Sequence, residues 1–281
     1  MICLAVNASQ GSPSSAAITI FSPDTDVLVL AISNYHLMAN NTSVSMVSGV
    51  VPIRPMWVAL GEERAKALSA FHAFTGADNI GRFSGIGKKT WFKAFLNAES
   101  NSIRAHKKLF ESTEVTEDTF TALAAFICLV YCPKGLNIKR IPELRWHLFC
   151  KNMAESTKLP PTLGALKQHI LRVHVQCNVW GQSDVFHQEF LDPLQNGFYK
   201  EASGEVKPMT TDVLPAPKSI IEMVRCQCKT DCSSKRCSCR AANLPCTDLC
   251  NCDSDQCEND DDYFTASQQE SDDENDEYDP Y

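Results

Sequence analysis

The sequence predicts an α/β domain first, a mainly helical region behind it, and then a small irregular cysteine-rich module that runs into a disordered acidic tail. Three observations predict this order. Short apolar runs of strand length mix with helical spacing through residues 1–100, whereas 101–200 carries helical spacing. Nine of the fourteen cysteines fall between Cys226 and Cys257. The last stretch, 253–281, holds thirteen Asp and Glu and no Lys or Arg, so residues 1–252 carry a net +5 inside a chain whose total is −8.

In the first region, residues 17–21 read as a buried strand and 26–32 as an apolar segment behind it. Residues 44–47 and 56–60 are further strand candidates, and a helix is expected over 62–74. In the second region, Thr116-Glu-Asp opens a helix over 115–131 that Pro133 stops; others are expected over 141–153 and 163–175. Residues 201–224, with Pro208, Pro215 and Pro217, read as a linker, 225–257 as the cysteine module, and 258–281 as a tail too charged to fold alone. The apolar stretch 122–132 is far short of the ~20 residues that span a bilayer. The opening residues lack the basic flank of a signal peptide. No membrane association or secretion is expected. A nuclear or cytosolic setting keeps thiols reduced, so clustered cysteines bind metal rather than pair.

The module reads Cys226-x-Cys228-x3-Cys232-x4-Cys237-x-Cys239-x6-Cys246-x3-Cys250-x-Cys252-x4-Cys257. Zinc takes four thiolates in a tetrahedron. Nine thiolates serve three Zn²⁺ if three sulfurs bridge and six are terminal, which gives each ion four bonds. The intervening residues are small or polar (Ser233, Ser234, Ser238, Ala241, Ala242), so metal must supply the folding energy. Two zinc ions with a spare cysteine, or a disulfide knot, are the competing arrangements. The runs Cys226-Gln-Cys-Lys-Thr-Asp-Cys232, Arg236-Cys-Ser-Cys-Arg240 and Cys246-Thr-Asp-Leu-Cys-Asn-Cys252 resemble the tesmin-type CXC domain. That family builds a three-zinc, nine-cysteine unit and in several members binds DNA. Members that read DNA through a tyrosine carry it just before the second Cys-x-Cys, where this chain has Arg236. The resemblance therefore implies contact through Lys235, Arg236 and Arg240 with phosphate or guanine. Three Zn²⁺ and nine thiolates sum to −3, which Arg225, Lys229, Lys235, Arg236 and Arg240 against Asp231 and Asp248 offset. DNA binding then requires the bases gathered on one face.

A second constellation lies upstream. Ser22-Pro-Asp24-Thr-Asp26 follows a strand, Gly76-Ala-Asp78 follows a helix, and Gly85-Ile-Gly87-Lys88-Lys89-Thr90 comes next. Carboxylates converging at strand ends can hold Mg²⁺ with a phosphate as co-ligand. A Gly-x-Gly turn at a helix start presents backbone N–H groups to a phosphate. Taken singly, Asp-Thr-Asp is a capping turn, Gly-Ala-Asp a loop, and Gly-x-Gly a helix connection. Their order resembles the PIN-like nucleases of the flap-endonuclease superfamily. The resemblance implies Asp24, Asp26 and Asp78 as catalytic metal ligands, and Gly85, Gly87, Lys88 and Lys89 as phosphate contacts. Phe71-His-Ala-Phe-Thr-Gly-Ala-Asp78, Leu159-Pro-Pro-Thr-Leu-Gly-Ala-Leu166 and Val179-Trp180 further resemble mobile-element-associated animal proteins that pair such a domain with a CXC module. Residues 1–23 contain no Asp or Glu. The expectation is a partial PIN-like domain that begins partway into the fold, with too few carboxylates for two-metal hydrolysis.

His169, His174 and Cys177 read as one face of a half-buried helix rather than a metal site, Cys128 and Cys132 as core thiols, and Trp57, Trp91, Trp146 and Trp180 as packing residues. The sequence thus predicts a zinc-binding, nuclear DNA-binding protein with a degenerate nuclease-like domain. A Mg²⁺-dependent structure-specific nuclease using Asp24, Asp26 and Asp78 is one alternative; a chromatin protein-interaction adaptor is the other.

Overall fold

The computed structural model describes residues 2–11, 17–39, 42–46, 51–78, 80–152, 158–182, 188–212, 225–229, 231–242, 244–247, 250–252 and 256–259. The chain divides into two compact units, Met1–Asp212 and Val213–Tyr281. Residues 213–224 of the expected linker, and the acidic tail from 260 on, lie outside the described residues.

The first unit begins with α1 (Ile2–Gln10) and a small sheet. Strand β1 (Ala17–Ile20) runs parallel to β2 (Ser43–Met46), with Ala17 opposite Ser43 and Ile20 opposite Met46. Parallel neighbours need a crossover, and α2 (Thr25–Ser33) supplies it, so this is a βαβ unit. The short β3 (Val51–Pro52) pairs antiparallel with β2. Residues 56–60, expected as strand, instead lie in helix α3 (Ile53–Leu60). A short apolar run fits either period, and here the chain geometry decides: Pro52 enters the helix in an extended conformation and Gly61, at φ 75°, ends it.

Helix α4 (Glu62–Phe74) is the centre of the unit, packed by α2, α3, α6 (Ser100–Glu111) and α9 (Leu163–Gly181). Ala65, Ala67, Ala70 and Ala73 are fully buried, and their small side chains let neighbouring helices approach from several sides. Phe71 and Phe74 fill the space between helices. Phe71 stacks on Phe95 of α5 (Lys88–Leu96) at 4.3 Å, and Phe74 meets Trp91 and His106 edge-on. Helix α7 (Glu117–Tyr131) closes this aromatic core with Phe126, and the Thr116 side chain caps it by accepting from Thr119 N, where the sequence places its start.

Helix α8 (Ile141–Asn152) packs on α7 through Ile141, Leu144 and Leu148. Trp91 and Trp180 are buried and Trp57 packs on the core, but Trp146, expected as a packing residue, is 68% exposed. Helix α9 runs past its expected end at 175 to Gly181.

Part of the stretch expected as linker is folded. Strands β4 (Phe198–Lys200) and β5 (Val206–Pro208) form a hairpin with Phe198 opposite Pro208. Buried Arg172 on α9 fastens it by donating from Nη1 to Gly197 O (3.1 Å) and Met209 O (2.5 Å). Gly197 is required here: its φ is 82°, and a Cβ would stand 2.5 Å from Gln168 O. No helix among the described residues is long and apolar enough to cross a membrane.

Candidate metal centre and carboxylate cluster

In the second unit the described buried side chains are six cysteines and Asn259. Among the described residues this segment has no apolar core besides its cysteines, so a metal held by the sulfurs is the available source of order. Helix α10 (Ser238–Ala241) is its single described helix, capped by Cys237. Backbone bridges draw the ends together: Asn251 N donates to Cys226 O, Cys246 N to Asn259 O, and Glu258 N to Asp231 O. Asn259 Nδ2 donates to Leu244 O (3.0 Å) and lies 3.4 Å from Cys246 Sγ. Cys232 takes a positive φ of 56°, unusual for a residue with a side chain, which turns the chain back on itself between the first two Cys-x-Cys pairs.

The sulfurs converge. Three groups of four have all their Sγ atoms within 4.8 Å of one another: Cys226, Cys232, Cys246 and Cys252; Cys226, Cys237, Cys239 and Cys246; Cys226, Cys228, Cys232 and Cys237. Cys226, wholly buried, belongs to all three. Cys250 stands 3.6 Å from Cys239, and Cys257 3.8 Å from Cys252, so every one of the nine predicted ligands touches the cluster. Individual separations test the donor set. Cys226–Cys232 is 3.8 Å, Cys226–Cys246 3.9 Å and Cys237–Cys246 3.8 Å. A tetrahedron with Zn–S near 2.3 Å has an S–S edge of about 3.8 Å. A disulfide would need about 2.05 Å, and none of the fourteen cysteines, all among the described residues, is in one. The arrangement is a cysteine cluster able to hold metal, and its all-sulfur character suits zinc.

The basic residues of this module divide. Lys229, Lys235 and Arg236 are exposed. Arg240 turns inward: its Nε donates to Cys232 O at 2.8 Å and its Nη2 to Glu258 O, so its guanidinium ties the two ends of the module together.

In the first unit, Asp24 and Asp26 sit at the C-terminal end of β1, where α/β folds place their sites. Asp24 is the N-cap of α2, its Oδ1 accepting from Asp26 N at 2.9 Å. Asp78 approaches from the loop after α4, held at φ 49°, two residues beyond Gly76 at φ 104°. A Cβ on Gly76 would lie 2.8 Å from Arg82 Cβ, which explains the glycine. Burial, then the negative charge of Asp26, hold the Asp78 carboxyl above the usual carboxylate range. Gln176 Nε2 of α9 lies 3.4 Å from Asp78 Oδ2.

One member of this cluster escapes a motif search. His72 of α4 is buried, with Nε2 2.7 Å from Asp26 Oδ1 and Nδ1 3.3 Å from Lys88 Nζ, and its ring stacks on Trp180. Donation from Nε2 to the carboxylate leaves Nδ1 to accept from the ammonium. Burial pushes His72 below its ordinary pKa, and burial likewise lowers Lys88. His72 thus joins the carboxylates to the Gly85–Lys89 turn. The only sequence signal for it was its place in Phe71-His-Ala-Phe-Thr-Gly-Ala-Asp78. In that turn Gly85 needs its positive φ of 74°, whereas Gly87 caps α5 with ordinary backbone angles. Lys88 faces the carboxylates through His72, and Lys89 is exposed.

Among the described residues, the groups of three or more candidate ligands within 4.8 Å of one another are all cysteines; Asp24, Asp26 and Asp78 do not form one. His169 and His174 are engaged separately, His169 Nε2 donating to Phe74 O and His174 Nδ1 to Leu109 O. Comparison of the whole chain with protein-family models, curated proteins and solved structures gives no match.

Proposed function

We propose that this is a zinc-stabilised, nuclear DNA-binding protein, built from a tesmin-type CXC module and a PIN-like domain that no longer hydrolyses its substrate. The supporting observation is the set of three overlapping sulfur quartets centred on Cys226. Replacing duplicated members by the two outer cysteines yields three complete sites. One ion takes Cys226, Cys228, Cys232 and Cys237; a second takes Cys237, Cys239, Cys246 and Cys250; a third takes Cys246, Cys252, Cys257 and Cys226. Each ion then has four sulfurs, and Cys226, Cys237 and Cys246 are the three bridges. When bound, the ions supply folding energy rather than chemistry, because four thiolates leave no open position.

DNA contact in this reading is electrostatic. Exposed Lys229, Lys235 and Arg236 in the module, and Lys89 beside the Gly85–Gly87 turn, meet backbone phosphates. Arg240 has a structural part through its carbonyl bonds. Retention of the zinc-loaded chain on duplex DNA should fall steeply with salt, and Lys235→Gln with Arg236→Gln should flatten the slope. A salt-independent profile would favour a protein-interaction adaptor.

The rival reading is a Mg²⁺-dependent nuclease, favoured by the gathering of Asp24, Asp26 and Asp78 at the end of β1. Against it, Asp26 Oδ1 is taken by His72, Asp24 Oδ1 by the helix cap, and the three carboxylates do not close on a common point. Incubation with branched DNA and Mg²⁺ decides: no cleavage is expected, and cleavage abolished by Asp26→Ala would establish the nuclease.

A further inference from the structure

Helix α8 has two apolar faces, and among the described residues only one is covered. Ile141, Leu144 and Leu148 are buried against the core, yet Trp146 is 68% and Phe149 53% exposed on another side of the same helix. Large aromatics are rarely left this open without a partner. The two rings are one helical turn apart and held nearly parallel, centroids 6.3 Å apart and planes at 29°. Their support is firm: Arg145 Nη1 donates to Pro160 O, tying α8 to the approach of α9.

Charge is gathered in the same stretch. Residues 134–158 contain six Lys or Arg against two Glu, a net +4, whereas the remainder of residues 1–224 carries fifteen Lys or Arg against seventeen Asp or Glu, a net −2. Lys134, Lys139 and Arg140, in the loop that leads into α8, are exposed. Residues 82–108 form a second basic stretch, with seven Lys or Arg against one Glu, but it is residues 134–158 that join a net positive charge to the exposed Trp146–Phe149 pair. Flat rings for stacking beside cations for phosphate are the two components of a single-strand nucleic-acid platform, and each is independent of the other.

We propose that α8 and the loop before it bind single-stranded nucleic acid, with bases stacked on Trp146 and Phe149 and phosphates neutralised by Lys134, Lys139 and Arg140. This extends the nucleic-acid reading to a surface that shares no residue with the cysteine module or the Gly85–Lys89 turn. A single strand fits better than a duplex because its bases are open to stacking. Sequence preference is weak, since every base has a π face.

The test uses the full zinc-loaded chain, an oligothymidylate 20-mer, and an abasic 20-mer with the same phosphates, followed by anisotropy and tryptophan emission at low salt. Wild type should prefer the thymidylate strand and lose emission on binding, because Trp146 is the most open of the four tryptophans. Trp146→Ala with Phe149→Ala should weaken thymidylate binding by about ten- to a hundredfold and remove the preference over the abasic strand. Trp146→Phe should keep most of the affinity but lose the quenching, and it carries the test alone if the alanine pair lowers the melting temperature. Lys139→Gln with Arg140→Gln should lower the salt slope by about 0.7 for each phosphate no longer neutralised. Lys235→Gln with Arg236→Gln should leave the quenching intact, which separates this surface from the module.

Equal affinity of wild type for both strands, or thymidylate binding unaffected by the alanine pair, would overturn the proposal. So would a wild-type dimer in light scattering that the alanine pair dissolves, since the face would then serve a second copy of the chain.

Discussion

Replacing Cys226 and replacing Cys228 look alike in the sequence, as the first and last residues of one Cys-x-Cys pair, but the geometry makes them unequal. Cys226 belongs to three sulfur quartets and Cys228 to one. In the three-ion arrangement Cys226 bridges two ions, while Cys228 is terminal on one. Structural zinc in small domains binds with an apparent ~10–16 kcal/mol per ion, or about 3 kcal/mol for each of four sulfur ligands. Cys228→Ser then costs about 3 kcal/mol, roughly a hundredfold in affinity at one ion. Cys226→Ser removes two bonds, about 6 kcal/mol and some four orders of magnitude, divided between two ions. The assay is zinc release from the full chain to a competing chromophoric chelator at neutral pH, with ions per chain counted by native mass spectrometry. Wild type should hold three ions. Cys226→Ser should release two at chelator concentrations where Cys228→Ser retains at least two, and Cys150→Ser, an exposed thiol of α8, should behave as wild type. One or two ions in the wild type, or identical release curves for Cys226→Ser and Cys228→Ser, would refute the bridging argument.

Three other outcomes follow from the first unit. Burial pushes His106 and His169 down to about 4, from an ordinary value of 6.5, so both are neutral in the fold and protonate more readily in the unfolded chain. Their contribution is present above pH 6.5 and lost as pH falls from 6.5 to 4, by about 3 kcal/mol each. Urea melts across that range should show the decline, and His106→Phe should reduce its slope by about one proton; an unchanged slope would count against the buried neutral state. Arg172→Met removes two bonds from a charged donor and should cost about 3–5 kcal/mol, with faster amide exchange in residues 198–208. Gly76→Ala, strained by its φ of 104° and by Arg82 Cβ, should lower the melting temperature markedly, whereas Gly87→Ala, with open space around it, should change it little.

Several features are legible in the chain because they are local. Cysteine spacing points to a metal module before any fold is known, since nine sulfurs crowded within thirty-two residues among small and polar neighbours suit soft-metal coordination. The Thr116 cap and the apolar spacing behind it mark α7 from nearest-neighbour chemistry alone. Residues 56–60 resemble a strand in sequence because five residues cannot distinguish a period of 2 from one of 3.6; in the structure they are the later part of a helix that runs from Ile53 and that Gly61, at positive φ, ends. Part of the proline-containing stretch before the cysteine module holds a hairpin for a different reason: its stability comes from Arg172, distant in sequence, so proline content there is no guide.

The sequence by itself determined the cysteine spacing, the charge divided between body and tail, and the positions of α4, α7, α8 and the first part of α9, whereas the helices at 2–10, 25–33, 53–60 and 100–111 were not legible in it. Tertiary structure alone decided that Cys226 lies in all three sulfur quartets, that Arg240 faces its own backbone, and that His72 meets Asp26, forty-six residues away in the chain, as well as Lys88. It also decided which apolar stripe of α8 is buried and which displays Trp146. Periodicity shows that a face is apolar but not what lies against it. Convergence of distant side chains is set by how helices pack, and that packing is written in no single segment.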